Sequence, residues 1–441
     1  MMSLSDLLVS AYILPHLSDC LISGQTCYLV GGALRDHLLG RPSADFDFAT
    51  PYDPTRVACR FASRIGGRWF MMDRLRKQSR VVLKQKHEKY TYDFAPFRSD
   101  TLEGDLRLRD FTVNALAVEL SSVLDLEAIC DPLDARSDLN HLILRACSTD
   151  AFKDDPLRLL RGIRLVATLE MEFDPATRVL MATEVSRLGR VSAERIRNEL
   201  SQIFAVDCPS DSLHRMEDLG LLDQLFGSPG QNGSFSKGIH KVEQISRRLT
   251  HYASTPSFSL ERVVTEPPLS AAAILRLAGF LAGSRVLEST PQLLKQLRFS
   301  NNSNVLLRSL AELHSRRADE LFALNSPGRG RALWVSRLGP DPWLSLVYLL
   351  CQVDHPEPLL ENVRRAFDDY MQHEKNSRIP DLVDGSWIHS ELGVQQGQLV
   401  GRLLNQLRQA EMEGRVRTLD EAHKFLKSLA QKSIDKKKDP S

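Results

Sequence analysis

The residues with the most chemical potential are two aspartates, Asp45 and Asp47, in the run Asp45-Phe46-Asp47-Phe48. Strict alternation predicts a strand with both phenylalanines on one face and both carboxylates on the other. Neighbouring carboxylates repel, so something positive belongs between them, and Mg²⁺ with oxygen ligands is the usual answer where phosphates are handled. Alone, the pair reads more simply as an edge strand with a solvated acidic face. Gly31-Gly32 tips the reading: it separates an apolar run at 27–30 from helical composition at 33–39, which Gly40 closes. A strand, a glycine turn and a short helix let backbone N–H groups approach a phosphate, and Arg35, one turn into the helix, could reach the same anion.

A second constellation runs from Asp154 to Arg164. Asp155 before Pro156 reads as an N-cap with proline at the first helical position, and Leu157, Leu160 and Ile163 can face a core. Asp155, Arg158, Arg161 and Arg164 recur every third residue. At about 100° per residue such a row winds within half the helix circumference, so all four can border one cleft. A capped amphipathic helix with a solvated basic flank is the plainer alternative. Two single residues add to these. Asp93, between Tyr92 and Phe94, points to one face of a strand; it is either a third carboxylate that orients a metal or accepts a proton, or a strand-end aspartate bonded to backbone. Arg109 precedes Asp110 and could simply pair with it.

The elements that must position these groups follow from composition and periodicity. With 441 residues, 42% hydrophobic and 26% charged, the chain has material for two to four globular domains. A net charge of +1 means that a nucleic-acid partner would be held by local basic patches. Seven scattered cysteines without a Cys-x-x-Cys pair argue against a disulfide framework or a zinc site. No signal peptide or membrane-length apolar run is evident, so a cytoplasmic, non-membrane protein is expected. Helical patterns cover 5–22 and 55–65, and strands are expected at 68–72, 79–84 and 90–95. Beyond residue 190 the pattern is helical, with a serine-capped helix at 191–200, loops at 228–236 and 254–268, and a capping box at Thr418 and Glu421. Lys436-Lys437-Lys438 reads as a solvated tail.

The order Gly-Gly-x-x-Arg-Asp-x-x-Leu-Gly, then Asp-x-Asp, resembles the head of the class II tRNA nucleotidyltransferases, which include CCA-adding enzymes and bacterial poly(A) polymerases. Residues 107–116 are similar to the family's next motif, with Leu108 where an arginine usually stands, and Asp131 to Arg145 resembles its hinge motif with Asp134 and Ala135 in place of glycines. Residues 154–164 resemble its Glu-Asp-x-x-Arg-x-x-Arg-x-x-Arg element, with Asp154 for glutamate, and 191–200 its following motif, which buttresses that helix.

The resemblance implies an α+β chain: a nucleotidyltransferase head with a mixed sheet and flanking helices at 1–148, an all-helical neck at 149–208, an RNA-binding body at 209–375 and a tail at 376–441. It implies that Asp45 and Asp47 bind Mg²⁺, with Asp93 as a third catalytic carboxylate. Gly31, Gly32, Arg35, Arg109, Asp155, Arg158, Arg161 and Arg164 would bind the nucleotide. Asp155 and Arg158 would read the base: cytosine and adenine place an amino donor beside a ring-nitrogen acceptor, which a carboxylate and a guanidinium match. The implied partners are tRNA, CTP and ATP. The segment between Arg98 and Arg109 is short, as in CC-adding members, which would leave the final A to a separate A-adding enzyme. Poly(A) polymerase and a non-catalytic RNA-binding protein are the alternatives.

Overall fold

The computed structural model describes residues 12–13, 16–85, 88–122, 128–227, 234–253, 269–284, 294–313, 328–353, 357–375, 382–392, 398–412 and 415–435. Two compact units divide the chain, one comprising 1–203 and 215–225, the other 204–214 and 226–441.

The first unit is built on a six-stranded sheet of order β3-β4-β5-β2-β1-β6. Its strands are β1 (Tyr28–Val30), β2 (Asp45–Thr50), β3 (Arg68–Asp73), β4 (Gln78–Gln85), β5 (Glu88–Pro96) and β6 (Ala117–Glu119). The central β2 and β5 run parallel and the other neighbours antiparallel, so the sheet is mixed, as expected. The predicted alternation in β2 holds: Phe46 and Phe48 are 1% exposed, while Asp45 and Asp47 face out. The rings stack on their β5 neighbours, Phe46 on Tyr92 and Phe48 on Phe94. Helix Thr55–Ile65 covers this aromatic face, with Phe61 edge-on to Tyr92 at 5.1 Å. The opposite, acidic face is open.

Helix Arg158–Leu169 follows, together with the short parallel pair β7 (Ile143–Leu144) and β8 (Glu172–Phe173). It lies close to the segment carrying Arg109, because Gly162 has no side chain: a Cβ there would come within 2.9 Å of the Phe111 ring. The Asp138 carboxylate accepts from Thr112 and Arg145, and Arg145 reaches on to Asp174, so the hinge-like segment is a fixed ion-pair network.

The second unit is helical. Phe280 of helix Ala271–Ser284 is packed among Phe204, Phe226 and Phe235. Buried Arg276 donates to the carbonyls of Phe204, Val206 and Asp207, satisfying acceptors that a helix end leaves open. Helices Gly385–Leu392, Gln398–Met412 and Leu419–Asp435 share a small core around Leu403, Leu407 and Leu426. The capping box is formed: the Glu421 N–H donates to Thr418 Oγ1 at 3.3 Å, and the Thr418 N–H to Glu421 Oε2 at 3.2 Å.

Three expectations change. Of the helix expected at 5–22, residues 5–11 and 14–15 lie outside the described residues, and Ser18–Cys20 is a single 3₁₀ turn. The loop expected to run to 236 ends sooner, since a helix starts at Phe235. Asp155 is extended and the helix proper begins at Arg158, so Asp155 acts one turn earlier, accepting the Leu157 N–H at 3.2 Å. Residues 228–233, 254–268 and 436–438 are outside the described residues. Among the described residues, no helix is long and apolar enough to cross a membrane.

Candidate active site

A cavity of about 400 Å³ opens on the acidic face of the sheet. Its wall includes Asp47 and Asp93 from the strands, Arg109, and Asp155, Arg158 and Arg161 from the helical segment. Residues as far apart in sequence as Val30 and Arg195 thus line one space. Asp45 stands exposed on the same face of β2 as Asp47.

Asp47 is open to the cavity, while protein atoms crowd it elsewhere. That crowding raises its carboxyl above the ordinary value; Arg109 and Arg161 pull it down, and Asp93 and Asp45 push it up. A carboxylate that burial and like charges disfavour, beside a second one on the same face, fits a hard divalent cation with oxygen ligands. Asp93 is register partner to Asp47 across the parallel pair. Its two oxygens accept from a side chain, Arg80 Nε and Nη2, each at 2.6 Å.

Gly31 holds the turn between β1 and helix Gly32–Leu38 at φ 79°, ψ −138°, a conformation that glycine alone adopts readily. A Cβ there would lie 3.1 Å from Arg109 Nη1 and 3.4 Å from Asp47 Oδ2. The Gly31 N–H, however, donates to the Leu116 carbonyl at 3.1 Å. The turn therefore makes room for Asp47 and Arg109 rather than offering that amide to an anion. Arg35 is likewise engaged: its guanidinium donates to Asp36 at 2.7 and 2.9 Å and to Asn114, so it braces the turn.

Arg109 does not pair with Asp110. It donates to Asp105 at 3.2 Å, and its Nε is buried without a partner among the described residues. Asp110 instead takes Arg161 Nε at 2.5 Å, the Asn114 amide at 3.0 Å and its neighbour's N–H at 2.8 Å. Burial alone would raise the Asp110 carboxyl; Arg161, these two donors and Arg158 overcome it and hold it down to about 2. Arg161 is correspondingly raised, first by Asp110.

Arg158 donates to the carbonyls of Ala151 at 3.1 Å and Leu108 at 2.8 Å. Where the family motif has an arginine, Leu108 therefore contributes its backbone. Asp155 gives its second oxygen to Arg195 at 2.7 Å. Arg164 departs from the expected row. It pairs with Glu199 at 2.7 Å and is not on the cavity wall, because six residues at about 100° each turn it some 120° away from Arg158. Asp105, Asp110, Arg195 and Arg80 were not recognised from sequence, since each matters through a partner brought close by folding.

Residues 27–145 match the Poly A polymerase head domain, and 170–233 match the Probable RNA and SrmB-binding site of polymerase A. A CC-adding tRNA nucleotidyltransferase of Geobacter sulfurreducens is 31% identical over 424 residues, covering 91% of this chain and 92% of the relative. An A-adding tRNA nucleotidyltransferase of Deinococcus radiodurans is 30% identical over 432 residues, covering 92% and 96%. The structure of a Thermotoga maritima CCA-adding enzyme complexed with tRNA has the same fold, with a TM-score of 0.63 at 22% identity over 97% of this chain and 99% of that one. Built on the same head and aligned with such relatives over nine-tenths of its length, this chain belongs to the tRNA nucleotidyltransferase family.

Proposed function

We propose that this protein adds CMP from CTP to the 3′ end of tRNA without a nucleic-acid template and stops after two cytidines. The observation that carries the transfer reading is the single cavity uniting Asp47 and Asp93 with Asp155 and Arg158, acidic groups for phosphoryl chemistry beside groups able to pair with a base. Asp45 and Asp47 would hold Mg²⁺, which when bound lowers the pKa of the attacking hydroxyl and neutralises triphosphate charge. Arg109 and Arg161, both on the cavity wall, take the triphosphate; Gly31 keeps the space that Arg109 and Asp47 need, and Arg35 braces the turn from behind. Asp155 accepts from the exocyclic amino group of the base and Arg158 donates to the ring nitrogen. Uracil and guanine offer the reverse pattern and leave both unpaired, so they are rejected. Arg164 supports this helix through Glu199.

The limit to two cytidines is supported by the short stretch between Arg98 and Arg109. It is a compact helix, Leu102–Arg107, capped by Thr101 and tied by Asp105 to both arginines, with little slack for a second base-selecting arrangement. The Deinococcus radiodurans relative favours AMP addition as a second reading. The test supplies tRNA ending before CCA, or ending in CC, with each nucleoside triphosphate singly and together, and sequences the products. CC ends from CTP, unaltered when ATP is present, are expected. A lone A added to CC ends establishes the second reading, and A tails on unrelated RNA establish a poly(A) polymerase.

A further inference from the structure

The acidic face of the sheet continues beyond Asp93 to an edge. Asp47 is register partner to Asp93, Asp93 to Arg80, and Arg80 to Phe70, so these four side chains form one row across β2, β5, β4 and β3. Phe70 is 47% exposed, and Met72, next on the same side of the strand, is 55% exposed and lines the same cavity as Asp47. The alternate residues Trp69 and Met71 are half-buried on the other side. Arg68 precedes this apolar pair, and Arg74, Arg76 and Lys77 follow it in the turn to β4.

On the transfer reading, Arg109, Arg158 and Arg161 take the nucleotide on one side of Asp47. Phosphoryl displacement is in line, so the attacking hydroxyl arrives opposite the departing pyrophosphate. The side of Asp47 that remains is the row toward Arg80 and Phe70. We propose that this row is the path of the RNA 3′ end, with Phe70 and Met72 as the platform for its terminal bases and Arg80 and Arg68 facing its backbone. Aromatic platforms set among cations are how single strands are held with little regard to sequence, which suits a terminus that changes with every addition.

The probe is fluorescent tRNA ending before CCA, titrated without nucleotide and followed by anisotropy. Phe70→Ala and Met72→Ala are each expected to weaken its binding about five- to tenfold. Melting temperature should stay put, because both side chains are exposed, and Phe70→Trp should bind as the parent does. Unchanged RNA affinity in both alanine variants overturns the proposal, as does a change confined to oligomeric state. If the parent binds the probe through Phe70 yet incorporates no nucleotide, the transfer reading fails and the RNA path stands. Normal incorporation with unaltered affinity in Phe70→Ala gives the converse.

Discussion

Asp105 meets Arg109 at 3.2 Å with a side chain that is 3% exposed, and the same carboxylate accepts the backbone N–H and Nε of Arg98 at 3.0 and 2.9 Å. Burial works against its charge, but the two arginines outweigh it and keep the carboxyl below its ordinary value. One buried anion therefore aims the arginine assigned to the triphosphate. Asp105→Asn should raise KM for CTP about tenfold with a smaller change in kcat, and cost about 1–3 kcal/mol in chemical denaturation. A KM equal to that of the parent would reduce Asp105 to a purely structural role.

Asp45→Asn and Asp47→Asn should each lower incorporation at least about a thousandfold, because a cation at that site contributes several kcal/mol to the transition state. The Asp47 variant should melt no lower than the parent. Its carboxyl is raised in the folded state, so at neutral pH its ionisation works against folding, and the amide removes that burden. Near-normal rates in either variant would refute the ligand assignment.

Asp110 sets a pH dependence of stability. Its folded value of about 2 lies below the roughly 3.9 of an unfolded aspartate, so its contribution is complete above about pH 4–5 and lost as pH falls toward 2. The span corresponds to about 2–3 kcal/mol. Melting temperature followed from pH 6 to 2.5 should fall less steeply in Asp110→Asn than in the parent. Parallel curves would show that Arg161 does not hold this carboxyl as described.

Asp155→Asn exchanges an acceptor for a group that can also donate, so it should admit UTP and narrow the CTP-to-UTP preference at least about tenfold. Arg195→Gln should narrow it less, since Arg195 acts through Asp155, to which it donates at 2.7 Å. Competition between the two nucleotides on one tRNA reads this ratio directly.

Much of this was legible because it is local. Phe46 and Phe48 alternate with Asp45 and Asp47 within four residues, the helix expected at 55–65 forms over those residues, and Thr418 and Glu421 cap within one turn. The partners were not. Arg80 meets Asp93 only through the register of β4 on β5, Arg195 reaches Asp155 across 40 positions, and Arg164, turned some 120° from Arg158 by the helix, meets Glu199 35 positions away. Residue type and spacing name groups able to do chemistry, whereas the counter-charge that aims each one depends on tertiary contacts that no local pattern encodes.

The stacking of Phe46 on Tyr92 and Phe48 on Phe94 has a consequence for quality control. Slippage of β2 by a single residue would turn its rings to water and drive two carboxylates against Phe61. A molecule so misassembled would forfeit its core together with its chemistry. The oily side of the strand thereby proofreads the wet side: chains that survive folding carry their acids where the reaction requires them.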